Sequence, residues 1–115
     1  LIDRFTDSTI AYQHYGMNLD KRIIQSINTY LLKKIKVNFT FLHIVNEKNL
    51  KLRLSKRKRL NRYDKFNFAF YRKVQNGFIK QSKMIKRKYL IINSNEKIYD
   101  NKNIIIKKIQ KLLNI

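Results

Sequence analysis

The chain of 115 residues has room for one domain and one core, with roughly two thirds of the unfolded surface buried if it folds alone. It contains no cysteine, which excludes disulfides and thiolate metal sites and makes a reducing compartment, the cytoplasm, the simplest expectation. A formal charge of +20 would ordinarily point to a polyanion, but 19 Lys, 17 Ile and 13 Asn against 2 Gly, 2 Ala and no Pro is a bias toward A/T-rich codons, so the bulk charge is discounted. The placement of the eight arginines carries more information, because that side chain grips phosphate in a fixed fork. No stretch reaches the about eighteen apolar residues of a membrane span, and Leu1-Ile2-Asp3-Arg4 lacks the basic head and apolar run of a signal peptide.

Helical periods and strand-like runs alternate, which predicts an α/β arrangement with parallel strands. Residues 1 to 4 read as the tail of a strand. A helix is expected around residues 19 to 35, with Ile23, Ile24, Ile27, Leu31, Leu32 and Ile35 on an inward face and Asp20 favouring its N-terminus. Residues 39 to 45, Phe-Thr-Phe-Leu-His-Ile-Val, are apolar on both faces, as an interior parallel strand should be. A further helix starts near Glu47. The longest helix is expected from about Phe66 to Arg87, burying Phe66, Phe70, Val74, Phe78 and Ile85. Residues 89 to 92 form a second strand, and a helix from Asn101 to Leu113 turns Ile105, Ile109 and Leu112 inward. Lys51 to Arg62 is a basic run, read either as a nucleic-acid patch or as a solvated helix face.

Asp3, Arg4, Phe5, Ser8, Thr9, Ala11, Tyr12, Gln13 and Gly16 match the order and spacing of a motif that runs Asp-Arg-aromatic, two variable positions, Ser-Ser/Thr, two more, Tyr-Gln-Gly. Arg53 and Arg57, followed by Asn61-Arg62-Tyr63-Asp64, approximate a pattern Arg-x3-Arg-x3-Asp-Arg-x-Glu. Phe68, Phe70, Tyr71, Val74, Asn76, Gly77 and Phe78 approximate an aromatic helix ending in Val-Arg-Asn-Gly-Tyr. In this order the three pieces resemble the monophosphate-binding motif, the mobile lid and the following helix of bacterial thymidylate kinases.

That resemblance implies a partial P-loop NTPase-type three-layer fold, a parallel sheet with flanking helices missing the N-terminal strands. Residues 1–115 would be a single-domain C-terminal fragment, with a lid at about 53–64. The family's phosphate loop, G-x-x-x-x-G-K-S/T, has no counterpart, because Gly16 and Gly77 are the only glycines. The strand at 39–45 would then lack its inner neighbour, so the isolated chain is expected to aggregate or be molten, and inactive alone.

The resemblance implies that the whole enzyme transfers the γ-phosphate of ATP to dTMP with Mg2+, as a cytoplasmic homodimer. Arg4 would hold the dTMP phosphate, and Asp3 would orient that arginine or reach the magnesium through water; no other metal ligand is expected. Thr9 and Gln13, four apart on a helix face, would hydrogen-bond the thymine edge. Tyr12 would lie against the deoxyribose. Arg53 and Arg57, on one helix face, are the candidate catalytic arginines, closing over the ATP phosphates. Arg62 and Asp64 stand where the family has Arg-x-Glu in the lid. His43 replaces a common Asp and is expected as a core histidine, with no metal-ligand spacing to His14. Gly77 is expected to mark close helix packing. The alternative is a small basic nucleic-acid-binding protein using residues 51 to 62, with Tyr63, Phe66 and Phe68 as stacking groups.

Overall fold

A computed structural model describes residues 1–57, 59 and 67–115. Leu1 to Arg4 form no strand, contrary to the expectation. The chain bends at Asp3 and Arg4, and Arg4 takes a left-handed backbone with φ 61°, which an extended run cannot accommodate. Helix α1 (Thr6–Thr9) follows and widens directly into a π-helical segment, Ile10–Gly16, where the Met17 amide reaches back to the Tyr12 carbonyl at 3.0 Å.

Helix α2 (Lys21–Leu32) starts where Asp20 accepts the Arg22 amide at 2.9 Å, the N-terminal role expected of it. Strand β1 (Thr40–Ile44) leads into α3 (Glu47–Ser55), capped by Asn46, whose side chain accepts the Asn49 amide at 2.8 Å. Helix α4 (Phe68–Met84) is capped in the same way by Asn67, which accepts the Phe70 amide at 2.9 Å. A 3-10 turn, Lys86–Lys88, then delivers the chain into strand β2 (Tyr89–Asn93). Helix α5 (Ile98–Leu113) ends at Asn114, whose φ of 56° supplies the left-handed residue that terminates a helix.

β1 and β2 pair in parallel, Thr40 opposite Tyr89 through Ile44 opposite Asn93, as the apolar runs predict. The core gathers where the π-helical segment meets α4. Ala11, Phe70 and Val74 are buried there, with Tyr12, Met17, Tyr71 and Phe78 packed against them. Both glycines make that approach possible. A Cβ on Gly16 would stand 2.7 Å from Phe70 Cε2, and one on Gly77 would stand 2.6 Å from Tyr15 Cδ2. The close helix packing expected at Gly77 is therefore present.

Other expected inward faces are exposed. In α2 only Ile24 of its apolar face is buried, while Ile23, Ile27, Leu31 and Leu32 are exposed, as is Ile35 beyond the helix end. In α5 Ile105 is half-buried, and Ile109 and Leu112 are exposed. Ile85 lies beyond the end of α4 and is exposed; Phe66 lies outside the described residues. The amphipathic periods are real, but no described element covers these faces, and periodicity cannot say what does.

Candidate functional site

The site begins with Arg4, carried on the left-handed turn that precedes α1. Its Nη1 donates to the Tyr12 hydroxyl at 3.1 Å, and its guanidinium carbon lies 5.3 Å from the Tyr12 ring centroid. The hydrogen bond and the cation–π contact fix the fork against the segment that follows it. Tyr12 is itself held edge-on by Phe70, at 6.0 Å between centroids, and by Phe78 at 6.3 Å. Asp3 is exposed and forms no ion pair with Arg4 among the described residues.

Arg4 and Tyr12 line a cavity of about 270 Å³ together with Arg57, Arg72 and His43. Its apolar lining includes Phe68, Tyr71 and Phe78 of α4. Arg4, from the first expected motif, and Arg57, from the second, thus line one cleft. Arg72 Nε meets Glu47 Oε2 at 3.5 Å, and Lys51 meets Glu47 Oε1 at 3.1 Å, so Glu47 partly offsets the cationic side. The wall is tied together at its base. Gln75 accepts the Val45 amide at 2.9 Å and donates to the Val45 carbonyl at 3.1 Å, joining α4 to the end of β1.

The remaining expected residues are less convergent. Arg53 and Arg57 do not share a helix face: α3 stops at Ser55, and Arg57 follows in a turn whose amide reaches the Leu54 carbonyl at 3.2 Å. Arg53 instead donates through Nη2 to the Ser94 carbonyl beyond β2. Thr9 ends α1, exposed, and Gln13 is half-buried in the π-helical segment; neither lines the cavity. Arg62 and Asp64 of the expected lid, like Tyr63 and Phe66, lie outside the described residues. His43 is exposed rather than in the core, with Nδ1 3.2 Å from the Ser94 hydroxyl. It and Arg72 were not anticipated as cavity residues. Only the position of His43 at a strand's C-terminal end, where α/β sheets gather ligands, could have signalled its place.

Two titrating groups are displaced near these elements. Burial pushes the Tyr89 phenol well above its ordinary range, reinforced by its hydrogen bond to the Asp7 carboxylate. The Arg22 side chain, with its backbone amide, holds the Asp20 carboxyl below the usual carboxylate value. Among the described residues no three His, Cys, Asp or Glu side chains gather into a metal-binding cluster, and no helix is long and apolar enough to cross a membrane.

Comparison with known proteins places the chain in a family. The family model for thymidylate kinase matches residues 1–105. A thymidylate kinase of Acholeplasma laidlawii is 36% identical over 116 residues, covering 98% of this chain and 57% of that protein. One from a Sulfurihydrogenibium species is 36% identical over 107 residues, covering 92% of this chain and 51% of that protein. The crystal structure of a thymidylate kinase from Ehrlichia chaffeensis superposes with a TM-score of 0.57 at 26% identity, over 98% of this chain and 49% of that one. The chain therefore spans about half the length of the curated relatives it matches, and its two parallel strands with flanking helices are part of a P-loop NTPase-type α/β fold. By its sequence and by its architecture, the chain belongs to the thymidylate kinase family.

Proposed function

We propose that the complete protein transfers the γ-phosphoryl group of ATP to dTMP, giving dTDP, and that residues 1–115 contribute one domain portion bearing the acceptor pocket and the root of the lid. The observation that supports this best is that Arg4, from the monophosphate motif, and Arg57, from the lid segment, line one cavity with Tyr12. Phosphoryl transfer asks a protein mainly to align two phosphate groups and to neutralise the charge spread over the moving one. Two guanidinium groups facing a shared space, backed by an aromatic wall, suit that task.

Arg4 grips the acceptor phosphate, its fork set by Tyr12. Tyr12 lies against the deoxyribose, and Gln13 and Thr9, on the same segment, meet the thymine edge. Arg57 is the arginine that neutralises the transferring group. Arg53, the other candidate, holds the Ser94 carbonyl and in that arrangement anchors the lid's root. Arg62 and Asp64 complete the lid. Magnesium draws its ligands largely from nucleotide phosphates and water. On this chain Asp3, exposed and next to Arg4, is the carboxylate that would reach it through water. When bound, the ion neutralises charge across the donor phosphates. The complete enzyme is taken to be cytoplasmic and dimeric, as is usual in the family. The relatives give no support to a nucleic-acid-binding module.

The test is formation of dTDP from dTMP and ATP by the complete protein, followed chromatographically. Turnover with dTMP well above that with UMP or dCMP is expected. No phosphorylation of dTMP would overturn the reading.

A further inference from the structure

Arg4 has an unusual support problem. Leu1 to Arg4 are exposed and outside any helix or strand, and the Arg4 backbone sits in a region that L side chains rarely adopt. Such a conformation persists only where neighbouring structure enforces it. Here the enforcement comes from downstream. The Asn28 amide of α2 donates to the Thr6 carbonyl at 3.3 Å, and the Gln81 amide of α4 donates to the Asp7 carbonyl at 3.0 Å. The Tyr89 hydroxyl, at the start of β2, donates to the Asp7 carboxylate. Three elements therefore hold the two residues that begin α1, immediately after the Arg4-Phe5 turn.

Of these links, that from Tyr89 joins two side chains and has an ionised acceptor, the stronger kind of hydrogen bond. A tyrosine phenol is protonated, hence a donor, across the neutral range, and burial here raises its pKa further. Asp7 falls on a position that the monophosphate motif leaves variable, and Tyr89 lies 82 residues away in a strand with no expected role at the site.

We propose that the Tyr89–Asp7 hydrogen bond is a positioning device that aims Arg4 at the phosphate of a nucleoside monophosphate, so that both residues set phosphate affinity without touching the ligand. The inference rests on the acceptor-site reading above. The π-helical segment carrying Tyr12 and Gln13 has its own anchor, Gly16 and Tyr15 packed into α4. Losing the Tyr89–Asp7 bond therefore weakens the phosphate grip and spares the nucleoside contacts of Tyr12 and Gln13.

The experiment measures dissociation constants of dTMP and of thymidine for the complete protein by calorimetry. Tyr89→Phe, which keeps the ring, should weaken dTMP about tenfold and change thymidine by less than about twofold. Asp7→Ala should do the same, and Asp7→Asn, which keeps an acceptor for the phenol, should recover most of the loss. In an Arg4→Ala background Tyr89→Phe should have no further effect on dTMP. Equal losses for dTMP and thymidine, or full additivity with Arg4→Ala, would overturn the inference by showing a purely structural bond. Should Tyr89→Phe lose its native circular dichroism, Asp7→Ala reads the same bond from the other partner. A wild-type protein that binds dTMP no better than thymidine would instead overturn the acceptor reading itself, a result distinct from a wild type that discriminates and a Tyr89→Phe that discriminates equally.

Discussion

Replacing Gly77 by alanine tests the packing that shapes the cleft. The new Cβ would stand 2.6 Å from Tyr15 Cδ2 and 2.7 Å from both Tyr15 Cβ and Cγ. These atoms are the root of the tyrosine rather than its tip, so a rotamer change cannot clear them and the π-helical segment must move away from α4. Overpacking of this kind costs typically 1–3 kcal/mol, and the upper end applies because all three contacts are under 3 Å. Alanine regains about 1 kcal/mol of helix propensity, leaving a net loss of about 2 kcal/mol. In a protein the size of its relatives this lowers the thermal midpoint by about 4–8 °C. Asn76→Ala is the control, because Asn76 is exposed on the same helix and its replacement should stay within about 0.5 kcal/mol of wild type. The assay is calorimetry or urea unfolding of the three proteins side by side. A Gly77→Ala protein as stable as Asn76→Ala, or more so, would refute the close approach of Tyr15 to α4.

In the complete enzyme Arg4→Ala should raise the dTMP requirement and slow turnover, whereas Arg57→Ala should slow turnover by roughly a hundredfold or more with little change in the dTMP requirement; steady-state kinetics separates the two. Asn67→Ala removes the cap of α4 and should cost about 1 kcal/mol by urea unfolding, while Asn67→Asp should retain most of the stability. Because the folded state raises the Tyr89 pKa, the phenol's contribution is complete below the unfolded value of about 10 and is lost as pH climbs above it. Thermal midpoints taken between pH 8 and 11 should therefore fall more steeply for wild type than for Tyr89→Phe. The 115-residue chain exposes 9256 Å², against about 6,700 Å² for a compact monomer of its mass. Alone it should bind the dye ANS and show no cooperative melt; a sharp calorimetric transition of a soluble monomer would contradict this.

Local chemistry made much of the fold readable. Asp20 marks the start of α2 because its carboxylate can take an orphan amide, and the two apolar runs become β1 and β2, paired in parallel. Long-range placement was not readable. Arg53 and Arg57, four apart, imply a common face only while the helix continues, and no glycine or proline announces its end at Ser55. The apolar stripe of α2 states that something covers it without naming what. Arg4 looks extended in sequence because no side chain signals a left-handed backbone, and the Tyr89–Asp7 bond joins opposite ends of the chain with no local trace. For the site, partnerships were not legible: no local signal pairs Arg4 with Tyr12, eight residues on, rather than with the adjacent Asp3.

The double hydrogen bond of Gln75 has a mechanical corollary. By pairing with both backbone groups of Val45, its carboxamide supplies an extra rung just past β1, borrowed from α4. A displacement of α4 at Gln75 therefore pulls on both backbone groups of Val45, where the chain leaves β1 for α3.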